Sequence, residues 1–280
     1  MFDAFFQFTF ATPLMLTAIH AGHDIREELV DNLFISEEDM MREEDTFTEY
    51  ITDGFTDKII VETSRFEVEL NRPRERAIYK TPEDCWGLKV WKKPLTKKEI
   101  NESLQKYDEF YRRLKLIVQE MIDTFGYAIV LDIHSYNHNR LGDGQPFDSV
   151  EENPQIILGT SNMPRKYFKA VELIQELFKQ NMYQGAPLDC RIDVKYPGGT
   201  LPRFLHETFP DKVFCLAIEF KKSFMNEWTG ELYEDKFEEL IEAFRKVAPV
   251  VDLIVDPLMQ IVNKEISGKA LLSKSKPNKK

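Results

Sequence analysis

The chain has 280 residues, 42% of them apolar and 30% charged, a balance typical of a globular protein with a sizeable core. Its formal net charge of −11 argues against a nucleic-acid-binding protein, which needs a basic face to neutralise phosphates. This bulk acidity still allows a local cationic pocket for a small anionic substrate.

The N-terminal segment, residues 1–24, is apolar enough to be compared with a signal peptide. It lacks a basic start, however, and polar residues interrupt its apolar run, so we interpret it as a first strand or strand pair that includes residues 14–20. No other stretch reaches 18 apolar residues, so we expect no transmembrane helix. The three cysteines are far apart and form no CxxC pair, which predicts neither a disulfide framework nor a zinc finger and favours a reducing, cytoplasmic location.

Short strand-like runs then alternate with longer helical ones, the pattern of an α/β fold. The clearest helix is 96–126, because apolar residues recur on one face and Gly126 stands where a helix would stop. The other predicted elements are a helix at 45–59 that starts at Asp45, a strand, turn and strand at 58–70, strands at 128–135, 155–161, 191–196 and 213–220, a helix at 164–181 and a closing helical region at 232–255.

The chain contains no internal repeat and no recognisable linker. We therefore expect one α/β domain over residues 1–265, with a mixed, mostly parallel sheet flanked by helices on both faces. The remaining residues, 266–280, are basic and contain a proline, and we expect this tail to be disordered.

Three predicted strands end in groups that bind metals or transfer protons: His20, His134 and Glu219. Ligands of open α/β sheets bind beyond the carboxyl ends of the strands, so these side chains are candidates for one site. A catalytic zinc ion uses three protein ligands and leaves a fourth position for water. Asp132 either orients a ligand imidazole or caps the strand end. A carboxylate at Glu219, in an apolar setting, would have a raised pKa suited to a general base.

Two polar clusters leave alternatives open. Asn71, Arg72, Arg74 and Arg76 follow a predicted strand, where guanidinium groups would grip an anionic substrate or form a surface salt-bridge network with neighbouring glutamates. Residues 196–199 form a loop with the sequence YPGG.

In that loop, Gly198 and Gly199 either let the backbone approach a ligand or simply make a tight turn, and Tyr196 precedes them. His206, further along, is expected to be a surface helix residue rather than a ligand.

Taken in order, these motifs resemble the N-formylglutamate amidohydrolase family of zinc-dependent carboxypeptidase-like exopeptidases. The resemblance covers roughly residues 14–235. It rests on six short motifs, namely AIHAG, REEDTFTEY, ELNRPR, LDIHSYNHNR, YPGGT and LAIEFKKSFMNEWTGE.

The resemblance implies a hydrolase-like, carboxypeptidase-like fold and one Zn²⁺ per chain, held by His20, His134 and an acidic third ligand best matched by Asp45. The wider superfamily has a glutamate at the position of His23, which makes His23 a rival third ligand. The chain also departs from the family at Ile19, in place of proline, and at Glu69, in place of the usual aspartate.

The resemblance further implies that Glu219 activates the metal-bound water. It also implies that Asn71 and Arg72 hold a substrate carboxylate, with Arg74 and Arg140 as further candidates. The expected reaction is hydrolysis of the linear amide of a small anionic N-acyl amino acid or short peptide, with N-formyl-L-glutamate as the family's namesake substrate. The alternatives are a carboxypeptidase or another N-acyl amino acid deacylase, and a non-catalytic metal- or ligand-binding protein of the same fold.

Overall fold

The computed structural model describes the backbone of residues 3–274 and the side chains of residues 3–261. The strands are β1 (Ala4–Gln7), β2 (Leu14–Ala18), β3 (Lys58–Val61), β4 (Ala128–Tyr136), β5 (Ile156–Gly159), β6 (Met182–Tyr183), β7 (Ala186–Pro187), β8 (Cys190–Ile192) and β9 (Val213–Lys221). The α-helices are α1 (Glu27–Val30), α2 (Glu37–Glu43), α3 (Thr48–Ile51), α4 (Lys97–Phe125), α5 (Phe168–Lys179), α6 (Thr200–Thr208) and α7 (Glu234–Lys274). The described residues also include three short 3₁₀ helices, at Arg74–Arg76, Pro82–Asp84 and Arg165–Tyr167.

Seven of the described strands form one mixed sheet in the order β1-β3-β2-β4-β9-β5-β8. The pairs β2–β3, β2–β4, β4–β9 and β5–β8 are parallel, whereas β1–β3 and β5–β9 are antiparallel. The expected α/β fold with a mixed, mostly parallel sheet is therefore confirmed. The three central strands, β2, β4 and β9, run parallel, so their carboxyl ends meet at one edge of the sheet.

Alternation along the central strands sends apolar side chains to both faces of the sheet. Leu131 of β4 belongs to the same hydrophobic cluster as the buried residues of α5 and α7. Its neighbour Val130 belongs to a second hydrophobic cluster, which contains the buried residues of α4 and α6. Both strand faces are therefore covered by helices, which explains why β4 is buried along its whole length.

Helix α4 forms where the sequence predicts it. The Thr96 side chain accepts the backbone N–H of Glu99, and the Glu99 side chain accepts the backbone N–H of Thr96, so the two form a capping box. Gly126 ends the helix in a left-handed conformation with φ of 86°.

Two predicted elements differ from the structure. Of the helix expected at 45–59 only α3 forms, because Phe47 is left-handed at φ 73° just before it, and the chain turns at residues 52–54 just after it, where Gly54 has a φ of 90°. The second strand expected within 58–70 is instead a turn, in which the N–H groups of Glu67 and Val68 both reach the carbonyl of Ser64. The N-terminal segment, in contrast, does form two strands, β1 and β2, and both pair with β3, which lies between them in the sheet.

Within the described residues, no helix is long and apolar enough to cross a membrane. The tail expected to be disordered, 266–280, falls on residues whose side chains are not described, and residues 275–280 lie outside the described residues altogether. That expectation, like the extent of the single domain, stays a prediction.

Candidate metal centre

The carboxyl edge of the central strands brings the predicted residues together. His134 of β4 stands directly opposite Glu219 of β9 in the parallel register. His20 lies two residues beyond the end of β2, on the other side of β4. Residues far apart in sequence therefore meet in one cavity because their strands are neighbours.

Three of the cavity's side chains could hold a metal ion: His20, Asp45 and His134 offer one ligand atom each, all within 4.8 Å of one another. Nδ1 of His134 lies 2.9 Å from Oδ2 of Asp45, and Nδ1 of His20 lies 3.4 Å from the same oxygen. All three residues are almost fully buried. Two imidazoles and a carboxylate are a donor set that catalytic zinc sites use, so the residues fit such an ion.

Each histidine has a second carboxylate on its opposite ring nitrogen. Nε2 of His20 lies 2.6 Å from Oε1 of Glu69, and Nε2 of His134 lies 2.9 Å from Oδ2 of Asp132. When both rings are neutral, an Nε2–H donated to these carboxylates leaves the lone pair of each Nδ1 available to a metal ion. The sequence-based role of Asp132 as an orienting group agrees with this geometry.

The rival third ligand, His23, does not join the group. Its Nδ1 lies 2.6 Å from a side-chain oxygen of Glu44, and 43% of its side chain is exposed. The hydrogen bond to Glu44 raises the pKa of His23 and turns its ring toward Glu44 rather than toward His20 and His134. Asp45, in contrast, lies between the two histidines.

The charges at the centre are strongly shifted by their neighbours. Burial works to raise the pKa of Asp45, but hydrogen bonds from His134 and His20 outweigh it and hold the pKa well below its ordinary value. Burial likewise opposes the protonation of His134, yet Asp132 and Asp45 raise its pKa well above the ordinary value. A compact cluster of carboxylates therefore attracts positive charge, as a cation site requires.

Glu219 borders the same cavity without belonging to the group of three possible ligands. Burial raises its pKa to about 7, with His134 acting to lower it and Asp45 acting to raise it. A carboxyl group with this pKa can take up and release a proton near neutral pH.

Of the three arginines predicted to bind substrate, the structure brings one to the cavity. Arg140 lines it and pairs through both terminal nitrogens with Glu43, at 2.9 and 3.0 Å. Arg72 instead donates to the carbonyl of Asp84 at 2.6 Å and lies over the ring of Tyr79, and it does not line the cavity. Arg74 forms an exposed ion pair with Asp108.

Asn71 and the glycine loop are linked to each other. Asn71 lines the cavity, and its Oδ1 accepts the backbone N–H of Thr200 at the start of α6, at 2.8 Å. A Cβ atom on Gly199 would lie 2.0 Å from that oxygen, so Gly199 permits the approach of Asn71. Neither Gly198 nor Gly199 lines the cavity, whereas Tyr196 does.

Several residues at the site were not singled out from the sequence. They are Glu43, Arg65, Trp86 and Lys222, all of which line the cavity. Arg65 binds Glu69 through two nitrogens, at 3.0 and 2.6 Å, and so supports the carboxylate behind His20.

The expectation for His206 is partly wrong. It lies on α6 but is buried, and burial lowers its pKa to about 4. Its Nε2 accepts the backbone N–H of Cys215 and its Nδ1 donates to the carbonyl of Asn162, so it joins α6 to the sheet.

Comparisons with known proteins agree with this picture. No curated protein matches the chain. The structure is similar to that of the N-formylglutamate amidohydrolase from Ralstonia eutropha JMP134, with a TM-score of 0.66 and 16% identity over 95% of this chain and 100% of that one. It is also similar to a gene product of Agrobacterium tumefaciens, with a TM-score of 0.58 and 19% identity over 86% of this chain and 92% of that one. These likenesses show the fold.

The family is shown by the sequence itself. A family model described as N-formylglutamate amidohydrolase matches residues 12–225, which include all three possible metal ligands as well as Glu219 and Arg140. The chain belongs to the N-formylglutamate amidohydrolase family.

Proposed function

We propose that the protein is a zinc-dependent amidohydrolase that cleaves the linear amide of an N-acyl amino acid, most closely N-formylglutamate. The observation that carries the proposal is the buried His20–Asp45–His134 group beside Glu219, in a chain of this family. The relative from Ralstonia eutropha bears the name of that activity.

The metal would be held by Nδ1 of His20, Nδ1 of His134 and the carboxylate of Asp45. When bound, zinc supplies a Lewis acid that lowers the pKa of water toward about 7 and polarises a carbonyl group. Glu69 and Asp132 keep the two imidazoles in the tautomer that presents Nδ1 to the ion.

Glu219 would act as the general base and then as the general acid. One of its carboxylate oxygens accepts a proton from the attacking water and delivers it to the amide nitrogen as the C–N bond breaks. The pKa of about 7 suits both halves of this transfer, because the group gains and loses the proton at comparable cost at neutral pH.

Arg140 is the arginine best placed to anchor the substrate carboxylate. Its side chain is 35% exposed, and it borders the cavity with Tyr196. Arg65, by comparison, has only 11% of its side chain exposed, and Lys222 is 1% exposed, so neither is as accessible to a substrate as Arg140. The cavity has a volume of about 140 Å³, which favours a small substrate.

The test is a substrate panel assayed with the zinc-loaded protein. We expect release of the free amino acid and the acyl acid from N-formyl and N-acetyl amino acids, fastest for an acidic amino acid, and no release after chelation. Activity confined to peptides would indicate a carboxypeptidase. A zinc-loaded protein that hydrolyses no amide would contradict the proposal in favour of a metal- or ligand-binding role.

Removing the guanidinium of Arg140 should raise KM far more than it lowers kcat. Arg140→Met alone would remove the bidentate partner of the buried Glu43 carboxylate, which could disturb the site by itself. The kinetics of Glu43→Gln are therefore compared with those of the double variant Glu43→Gln/Arg140→Met, so that the two proteins differ only at residue 140. The second variant should show a kcat/KM about 10- to 100-fold lower, the worth of a charge-assisted hydrogen bond. Steady-state kinetics on an N-acyl amino acid measures this.

Arg74→Met is the matched control, because it removes the same charge from an exposed ion pair outside the cavity. It should leave KM unchanged. An equal KM in the two Glu43 variants would show that another group holds the carboxylate.

A cytoplasmic location is part of the proposal. It is supported by the cysteines Cys85, Cys190 and Cys215, which are all buried and free in the described structure. Free thiols persist most readily in a reducing compartment.

A further inference from the structure

Lys222 is a buried lysine at the edge of the candidate metal centre. It directly follows β9, only 1% of it is exposed, and it lines the same cavity as Glu219. Its Nζ donates to two backbone carbonyls, those of Arg42 and Glu44, each at 2.6 Å. Neither carbonyl lies on β9, so the lysine joins the end of β9 to the C-terminal end of α2.

Those carbonyls belong to the end of α2, where a helix leaves its last carbonyl groups without partners inside the helix. The carbonyl of Arg42 also accepts Nδ2 of Asn137 at 2.9 Å, and the carbonyl of Glu43 accepts a terminal nitrogen of Arg65 at 3.0 Å. Side chains from three separate segments thus satisfy this end of the helix.

The bond to the Glu44 carbonyl has a direct consequence for Asp45. The Glu44 carbonyl and the Asp45 N–H belong to one planar peptide unit. Its N–H donates to the carbonyl of His20 at 3.0 Å, and its oxygen accepts Nζ of Lys222. Because both its N–H and its carbonyl oxygen are hydrogen-bonded, the peptide unit between Glu44 and Asp45 cannot rotate without breaking a buried hydrogen bond. The orientation of this peptide unit sets the position of the Asp45 Cα atom and so constrains the direction of the Asp45 side chain.

We propose that Lys222 is a positioning residue that holds the Asp45 carboxylate against His20 and His134 in the arrangement a metal ion needs. The inference rests on the proposed metal centre. Burying an ammonium group costs free energy, and burial lowers the pKa of Lys222. If this position only filled space in the core, an apolar side chain such as methionine would stabilise the fold more than lysine does. Three donor protons on one flexible stem, in contrast, suit two carbonyls that face a common point.

The test is the affinity for zinc ion, measured by competition with a chromophoric chelator on the full-length protein. Lys222→Met should bind zinc about 10- to 100-fold more weakly, the usual cost of losing a group that orients a metal ligand. Lys221→Met is the matched control, since its Nζ donates to the carbonyl of Asn153 and it does not line the metal cavity. It should bind zinc as tightly as the wild type.

A double-mutant cycle separates positioning from a general structural effect. Zinc affinity is compared for Asp45→Ala with and without Lys222→Met. If Lys222 acts through Asp45, the second substitution adds almost nothing once Asp45 is gone. A full additional loss in the Asp45→Ala background would overturn the inference.

Should Lys222→Met not fold, Lys222→Gln serves in its place, because glutamine stays polar but is too short to reach both carbonyls. Wild-type affinity in the folded Lys222 variant would refute the positioning role and leave the metallohydrolase proposal standing. A wild-type protein without affinity for zinc would refute both.

Discussion

Replacing Glu219 by glutamine is expected to lower kcat for amide hydrolysis by about 10²- to 10⁴-fold, the usual contribution of a general acid–base group. Glutamine has nearly the same size and shape, but it cannot accept a proton from water or return one to the leaving nitrogen. Because Glu219 is not one of the three possible ligands, zinc affinity should stay at the wild-type value. The substitution therefore separates proton transfer from metal binding.

The matched control for this substitution is Glu227→Gln. Glu227 is also a buried carboxylate whose pKa burial raises, but it accepts the backbone N–H groups of His138 and Asn139 and does not line the metal cavity. Its variant should keep kcat close to the wild type, with a lower melting temperature at most. Hydrolysis at the wild-type rate by Glu219→Gln would remove Glu219 from the mechanism.

The residues at the strand ends were predictable from the sequence because two local signals coincide there. His134 and Glu219 each follow a run of apolar residues, and strand direction alone places such residues at one edge of a parallel sheet. Asp45 was not predictable in this way. The helix expected to begin at Asp45 is broken by Phe47, and the aspartate reaches the site through its bond to the His20 backbone.

The groups that support the site escaped prediction because their partners are distant in sequence. Lys222 donates hydrogen bonds to the backbone carbonyls of Arg42 and Glu44, and no local sequence pattern predicts a contact between segments so far apart in the chain. The arginines after Leu70 show the opposite case, in which a local sequence pattern predicted a site that the structure does not form. Arg72 and Arg74 follow a buried segment, yet the backbone turns there, and their guanidinium groups meet Asp84 and Asp108 rather than the cavity. A charged cluster in sequence does not reveal which way its side chains point.

Asp45→Ala should abolish tight zinc binding, whereas His23→Ala should leave it intact. The two residues were rivals for the third ligand in the sequence, and the structure places only Asp45 between the two histidines, 2.9 Å from His134 and 3.4 Å from His20. His23 points to Glu44, with 43% of its side chain exposed.

The loss in Asp45→Ala should exceed the roughly 10- to 100-fold that removal of an outer-shell partner costs, because a direct ligand and its negative charge both disappear. Zinc competition and hydrolysis are measured on both variants. A His23→Ala protein that loses zinc, beside an Asp45→Ala protein that retains it, would reverse the assignment. A general disturbance of the structure around the site would weaken zinc binding in both variants, whereas a direct ligand role for Asp45 predicts that only Asp45→Ala loses it.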